Sequence, residues 1–237
     1  MLFRSESELE ERFIRGIKNY ASQEEQQLLG WDFQTITIDG VNTYKLKIIN
    51  GETEFYYLIT PQVNLGKSDG VLYPTRTDHM ITCIDVKKNG ESIKIEDLQR
   101  IPSIAVYLDG YQYHATKESN RFIGDIQKRI SIVDTGKYLT WTLTWEDLNY
   151  FEAMLSKLIP DQDNLYNKIK DYNSNYLRLQ NAPNYKDFDD KLKTKKNNLD
   201  RLIYVLSNLD SEPLLSGNIT KDRKSTRLNS SHTDISR

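Results

Sequence analysis

The sequence predicts an α/β domain that is followed by a helical extension. Three observations predict this class: an amphipathic helical segment near the start, several strand-like segments after it, and a helix followed by a clearly alternating strand. The 237 residues are enough to bury a sizeable core. We therefore expect one domain over residues 1–158, a helical extension over 159–210 and a disordered tail over 211–237.

The first predicted element is a helix over residues 6–21. Leu9, Phe13 and Ile17 recur in it at helical spacing, although Gly16 weakens the pattern. At about 100° per residue, Glu10 falls within the arc set by these apolar side chains. A carboxylate on the buried face of a helix needs a partner, so Glu10 is a candidate for a functional role.

Five strands are predicted, from the segments that come next and from the end of the domain. Residues 44–49 and 54–60 flank Asn50-Gly51, which is a strong hairpin signal. A third strand is expected over residues 78–86. Residues 102–109 are almost continuously apolar, as in a strand at the centre of a sheet, and residues 138–145 alternate with Leu139, Trp141, Leu143 and Trp145 on one face.

The remaining segments are predicted to be helical or disordered. Residues 118–133 have helical spacing and end before Gly136, and residues 146–206 are mostly helical and polar. The last residues, 221–237, lack apolar periodicity and resemble a translated sequencing-adapter read-through. We exclude them from function and expect the true C-terminus to be missing.

Composition and charge exclude several classes of protein. The formal net charge of −2 gives no general basic surplus for nucleic acid, so any contact with phosphate has to be local. Cys83 is the one cysteine, which excludes an intrachain disulfide and a zinc site of several thiolates. No segment is apolar enough to span a bilayer, and the start lacks a signal core. We expect a cytoplasmic protein without a membrane partner.

Three carboxylates lie at places where they could meet. Asp78 opens one strand, Asp109 closes the next, and Glu10 lies on the apolar side of the first helix. Carboxylates around one point repel each other unless a cation lies between them, and oxygen ligands suit Mg²⁺ or Mn²⁺. His114, five residues after Asp109, could act as a general acid or base near neutral pH.

These residues belong to a set of five motifs: Ser7-Glu8-Leu9-Glu10-x-x-Phe13, Thr75-Arg76-Thr77-Asp78, Val106-Tyr107-Leu108-Asp109-Gly110-Tyr111-Gln112-Tyr113-His114, Asn120-Arg121-Phe122-x-x-Asp125-Ile126-x-Lys128-Arg129 and Trp141-Thr142-Leu143-Thr144-Trp145-Glu146-Asp147. Together these motifs, over about residues 5–158, resemble the PD-(D/E)XK restriction-endonuclease-like superfamily. The Asp-Gly-x-x-x-His element looks like that of very-short-patch mismatch endonucleases, and the closest likeness is to the C-terminal nuclease-like module of bacterial DEAD/DEAH-box helicases.

The resemblance implies a restriction-endonuclease-like αβββαβ core with a mixed central sheet, here followed by a C-terminal helical hairpin. It implies that Asp78 binds the metal, that Glu10 supports the metal or its water, and that Asp109 with His114 completes the site. The basic pair Lys128 and Arg129 would face phosphate. The implied activity is metal-dependent hydrolysis of DNA.

The sequence departs from the superfamily pattern at two positions. Thr77 stands where the motif has proline, and Tyr107 stands where it has the second carboxylate, with no lysine after it. Absence of a Walker A pattern means that the chain has no motor of its own. We expect a fragment of, or a partner to, a helicase of DNA repair or phage defence.

Two other readings remain open from the sequence. The first is a nuclease fold that has lost catalysis and serves in DNA binding or protein docking. The second is a plain structural domain, in which the three carboxylates lie far apart, Asp109-Gly110 is only a turn, and Asp125 and Arg129 form an ordinary helical ion pair.

Overall fold

A computed structural model describes residues 3–109, 115–116, 119–120, 122–156, 195 and 197–209 of the chain. The helices are α1 (Phe3–Ala21), α2 (Glu24–Leu28), α3 (Ile95–Leu98), α4 (Phe122–Val133), α5 (Trp145–Leu155) and α6 (Asn198–Leu206), with a 3₁₀ turn at Lys67–Asp69. The strands are β1 (Asp32–Ile38), β2 (Val41–Asn50), β3 (Thr53–Pro61), β4 (Asn64–Leu65), β5 (Thr75–Arg76), β6 (His79–Lys88), β7 (Glu91–Ser92), β8 (Ser103–Asp109), β9 (Ala115–Thr116), β10 (Ser119–Asn120) and β11 (Tyr138–Thr144). Of the helices in these ranges, none is long and apolar enough to cross a membrane.

The main sheet has the strand order β1-β2-β3-β6-β8-β11, and the short β7 pairs with β6. Its neighbouring strands are antiparallel except for β8 and β11, which are parallel and are joined through α4. Parallel neighbours need a crossover connection, usually a helix. The chain therefore has a mixed α/β fold with a mostly antiparallel central sheet, and the predicted α/β class is confirmed at this level.

Helices cover both faces of this sheet. Alternate residues of β8 face opposite sides, since Ile104 and Val106 belong to the larger core cluster and Ala105 and Tyr107 to the smaller one. The larger cluster joins the sheet to α1, α5 and α6. The smaller cluster joins it to α4 through Ile132. The strand β8 is thus buried from both sides.

Gly16 is explained by the close packing of three helices. A Cβ atom built on Gly16 would lie 3.3 Å from Leu199 Cδ2 and 3.6 Å from Phe151 Cδ1. The glycine that weakens the helical pattern of the sequence therefore allows α5 and α6 to approach α1.

Several sequence predictions agree with these elements. The hairpin is confirmed, with Asn50 paired to Thr53 across a two-residue turn. The strands expected over residues 78–86, 102–109 and 138–145 correspond to β6, β8 and β11, and the helices over 6–21 and 118–133 correspond to α1 and α4. Buried Leu139, Trp141 and Leu143 lie on the core side of β11, as the alternation predicts.

Three local predictions need correction. The strand β1 was not predicted at all. The helix expected from residue 118 begins at Phe122, because Ser119 and Asn120 pair with β9 instead. Trp145 begins α5 rather than ending β11, since Thr144 accepts a hydrogen bond from Asp147 N at 3.3 Å and the Asp147 carboxylate accepts one from Thr144 N at 3.0 Å. This capping box fixes the start of the helix.

The predicted extension over residues 159–210 and the predicted tail over 211–237 lie mostly outside the described residues. The described part of the extension, α6, packs into the larger core, where Leu199, Leu202 and Leu206 are fully buried. Its N-cap is Asn197, whose side chain accepts a hydrogen bond from Asp200 N at 2.8 Å. This helix is therefore part of the main hydrophobic core.

An ion pair fastens α1 to α5. The Arg12 guanidinium donates to both carboxylate oxygens of Glu152, at 3.1 and 2.7 Å, and to Asn149 Oδ1 at 2.7 Å. It also lies 5.1 Å from the ring centroid of Trp145. The hydrogen bond from Arg12 is the main reason that the pKa of Glu152 lies below its usual value. The pair is bidentate and half-buried, which distinguishes it from an ordinary surface ion pair.

We expect Arg12→Met to lower the free energy of unfolding at neutral pH by about 1 kcal/mol, through loss of the bidentate pair. A lowered carboxyl pKa stabilises the fold above the unfolded value, and this contribution is lost as the pH falls through the folded value. The unmodified protein should therefore lose more stability than the variant between about pH 5 and pH 3. Urea unfolding across this range measures both effects.

Arg15 supplies the matched control, because it also donates to Glu152, at 3.1 Å, but its side chain is 55% exposed. Arg15→Met should change stability less than Arg12→Met at every pH. Equal losses in the two variants would mean that the pair with Arg12 has no special role in joining the helices.

Candidate functional site

Asp78 lies where β8 continues beyond the start of β6. The two strands pair from His79 opposite Val106 onward, and Asp78 N donates to Val106 O at 3.1 Å. The next main-chain donor of β8 on the side of β6 is the N–H of Leu108. Asp78 Oδ2 accepts its hydrogen bond at 2.6 Å. The carboxylate thus takes the place of the main-chain acceptor that a longer β6 would supply. It lies beside the C-terminal end of β8.

Gln62 connects Asp78 to Glu10. Its main-chain N–H donates to Asp78 O at 2.8 Å, and its side-chain Nε2 donates to Glu10 Oε1 at 3.3 Å. Glu10 is half-buried on α1, so its predicted need for a partner is met by Gln62. Two of the three predicted carboxylate residues therefore contact the same glutamine at one end of the sheet.

The third carboxylate belongs to Asp109, the last residue of β8, whose main chain pairs with Thr144 of β11. Its main chain directly follows Leu108, the residue that Asp78 caps. The side chain of Asp109 and all of His114 lie outside the described residues. The predicted roles of these two side chains stay predictions.

Tyr107, at the position of the missing carboxylate, is packed under α4. It is 9% exposed and lies in the smaller core cluster. The Arg129 guanidinium carbon lies 4.8 Å from the centroid of its ring, and Arg129 Nη1 donates to Thr142 Oγ1 at 3.1 Å. Arg129, one of the two predicted phosphate contacts, therefore has its guanidinium against the sheet, on the face that carries Tyr107.

Lys128, the other predicted phosphate contact, lies on the outer part of α4. Its ammonium group is 3.6 Å from Asp125 Oδ1, an ordinary i, i+3 ion pair, and its side chain is 44% exposed. Lys128 can therefore reach a ligand from solvent at little cost, because an exposed ion pair is weak.

His79 faces away from these groups, as the strand alternation predicts. It is buried against Phe13, with the two ring centroids 5.1 Å apart. Burial lowers the pKa of His79 to about 4, so the imidazole is neutral at neutral pH. It belongs to the core beneath α1.

The described side chains form no group of three or more His, Cys, Asp or Glu residues that could hold a metal ion. The side chains of Asp109 and His114 lie outside the described part of the chain. What the arrangement offers chemically is two carboxylates, Glu10 and Asp78, whose residues both contact Gln62, and hard oxygen donors of this type suit Mg²⁺ and Mn²⁺.

Gln62 is the site residue that sequence reasoning missed. Its main chain has φ 53°, which is the left-handed region that few residues other than glycine adopt. Pairing of β3 with β6 ends at Pro61 and His79, and the Gln62 N–H adds one further hydrogen bond, to Asp78 O. The only sequence signal is its place after Pro61, where a proline ends the strand.

We expect Asp78→Ala to lower the free energy of unfolding by about 1–3 kcal/mol, because the N–H of Leu108 loses its acceptor. Asp78→Asn should cost less than Asp78→Ala, since the amide oxygen can still accept this hydrogen bond. Urea unfolding followed by tryptophan fluorescence measures the difference. Equal losses in the two variants would show that the charge, and not the hydrogen bond to Leu108, stabilises this end of the sheet.

Comparison of the whole chain with protein-family models, with curated proteins and with solved structures gives no match.

Proposed function

We propose that this chain is a metal-dependent DNA endonuclease-like domain that hydrolyses phosphodiester bonds. The observation that carries the proposal is the contact of Asp78 with the N–H of Leu108 at 2.6 Å, together with the link of Asp78 to Glu10 through Gln62. The Asp78 carboxylate contacts the main chain of Leu108, next to Asp109, while the Asp78 carbonyl and the Glu10 carboxylate each accept a hydrogen bond from Gln62. Acidic groups gathered at a strand end are typical of hydrolytic metal sites.

The order of the elements also supports the proposal. After α1 the main sheet has five antiparallel strands in the order β1-β2-β3-β6-β8, and α4 then leads to β11, which is parallel to β8. The subset α1, β3-β6-β8, α4 and β11 is compatible with the αβββαβ core that the sequence motifs resemble, and β1 and β2 are additional to it. The likeness to helicase-associated modules extends the proposal to a role beside a DEAD/DEAH-box helicase in DNA repair or phage defence.

In the proposed mechanism Asp78 and Asp109 would hold Mg²⁺ or Mn²⁺, and Glu10 would support the same site. A bound ion would supply charge neutralisation at the phosphodiester and a lowered pKa of water. His114 would transfer the proton, as an imidazole can near neutral pH. Lys128, at the exposed side of α4, contacts a phosphate oxygen, and Arg129 holds its charge near the end of β8.

We expect the purified chain to cut plasmid or single-stranded DNA in the presence of Mg²⁺ or Mn²⁺ and not in EDTA. Asp78→Asn should reduce the rate at least about 100-fold, because a metal contributes several kcal/mol to the transition state. The asparagine keeps an acceptor for the N–H of Leu108, so loss of activity would not be loss of fold. Gel electrophoresis of the products measures the rate.

Asp69→Asn is the matched control. The Asp69 carboxylate also accepts a main-chain N–H, from Gly66 at 2.9 Å, but in the turn before β5. This variant should cut DNA at the unmodified rate. Undiminished cleavage by Asp78→Asn, or cleavage that persists in EDTA, would refute the assignment of the site.

A second candidate function is a catalytically inactive module for DNA binding or protein docking. It is favoured by Tyr107, which is packed beneath Arg129 at the position expected for a carboxylate. Calorimetric titration with Mn²⁺ distinguishes the two candidates. If the site is active, Mn²⁺ binding releases or absorbs heat, and Glu10→Gln and Asp78→Asn each reduce that heat. If the module is inactive, the heat of Mn²⁺ titration does not depend on these two residues.

A further inference from the structure

Among the strands that the structure describes, β1 is the outermost strand at one edge of the main sheet. It pairs with β2 over all seven of its residues, and among the described residues its main chain makes no other main-chain hydrogen bond. Five of the seven residues are exposed and the other two are half-buried. An edge strand of this length, about 24 Å, is a template on which another strand can pair.

The sequence of β1, Asp32 to Ile38, lacks the usual protections of an edge. It contains no proline, lysine or arginine, and it is rich in threonine, isoleucine and phenylalanine, which favour strands. Its one charged residue, Asp32, accepts a hydrogen bond from the Gln34 side chain at 2.6 Å. The edge is therefore suited to pairing.

The turn after β1 determines which main-chain groups point outward. Asp39 and Gly40 have φ of 49° and 78°, as in a type I′ turn, and Ile38 pairs with Val41 across it. The residues that flank a two-residue turn of this kind are a hydrogen-bonded pair, and such pairs alternate along the ladder. The N–H and C=O groups of Phe33, Thr35 and Thr37 consequently point away from β2.

Exposed apolar side chains lie at both ends of the same edge. Leu28 and Leu29, just before β1, are 81% and 57% exposed, and Ile38 and Val41, at its other end, are 42% and 47% exposed. Antiparallel pairing of two copies brings the start of one strand beside the end of the other. The apolar groups of the two copies would then cover each other, as exposed apolar patches at interfaces do.

We propose that β1 pairs antiparallel with β1 of a second copy of this chain, about a two-fold axis at Thr35, and so makes one continuous sheet across the dimer. In this register Thr35 faces Thr35, and Asp32 faces Ile38 rather than another Asp32. The strand is thus complementary to itself in main-chain groups, as a two-fold interface requires, and this register places no like charges opposite each other. The pairing is independent of the proposed nuclease activity.

Sedimentation velocity over a concentration series tests the proposal on the full chain. The unmodified protein should approach twice the chain mass of 27.7 kDa. Thr35→Lys and Thr35→Glu should each raise the dissociation constant of the dimer at least about tenfold, because like charges directly opposite each other destabilise paired strands. Thr35→Pro should do the same by removing an outward N–H, a change that an edge strand tolerates.

Mixing Thr35→Lys with Thr35→Glu is the decisive measurement, because only pairing of Thr35 with Thr35 puts lysine opposite glutamate. The mixture should recover the dimer mass. Ile95→Lys, on exposed α3, is the control for added charge and should remain a dimer. Circular dichroism confirms that each variant is folded.

Three results would overturn the proposal. The unmodified chain could remain a monomer at every concentration in the series. This result would overturn the proposal even if the monomer bound an unrelated strand peptide. The Thr35 variants could all remain dimers, which would place the contact on another surface. The mixture of lysine and glutamate variants could stay monomeric, which would exclude the antiparallel register about Thr35.

Discussion

The burial of β8 on both faces is the constraint from which the other main features follow. Ile104, Ala105 and Val106 are fully inaccessible, so a helical layer has to lie on each side of this strand. On one side α1, α5 and α6 supply that layer. On the other side α4 supplies it, and the same helix makes the crossover that parallel β11 requires. The position of α4, with Lys128 and Arg129 on it, is therefore set by packing before any chemistry is considered.

The same constraint explains why acidic groups gather at one end of the sheet. Because β8 extends past β6, the N–H of Leu108 is left without a strand partner in a half-buried place, and an unpaired donor there would cost about 1–3 kcal/mol. Asp78 supplies the acceptor. The exposed side chain of Gln62 donates to Glu10. Hydrogen bonding within the fold therefore accounts for the position of the Asp78 carboxylate and for the contact of Glu10 with Gln62 without a bound cation.

Sequence patterns predicted those elements whose burial is regular. The two-residue alternation of β11, the apolar run of β8 and the Asn50-Gly51 turn are each a local pattern that fits one kind of structure. The strand β1 lacks such a pattern, because it is exposed on both faces and Phe33, Ile36 and Ile38 have no common period. At the site, the positions of Asp78 and Glu10 were predicted from single residues. The role of Gln62 was not, because it depends on the register of β3 with β6 and on the position of α1, which no local pattern encodes.

Tyr107 lies in the buried layer beneath α4. Its side chain points to α4, among Met80, Ala105 and Ile132. A carboxylate at this position would be buried beneath the helix, and its cost would have to be offset by Arg129 alone. The tyrosine instead offers its ring to the guanidinium, 4.8 Å away, at no such cost. Of the proposed acidic donors whose side chains the structure describes, Glu10 and Asp78 lie outside this buried layer, at the end of the sheet where β3 ends and β6 begins. The packing beneath α4 therefore accounts for the tyrosine independently of any chemistry at that end.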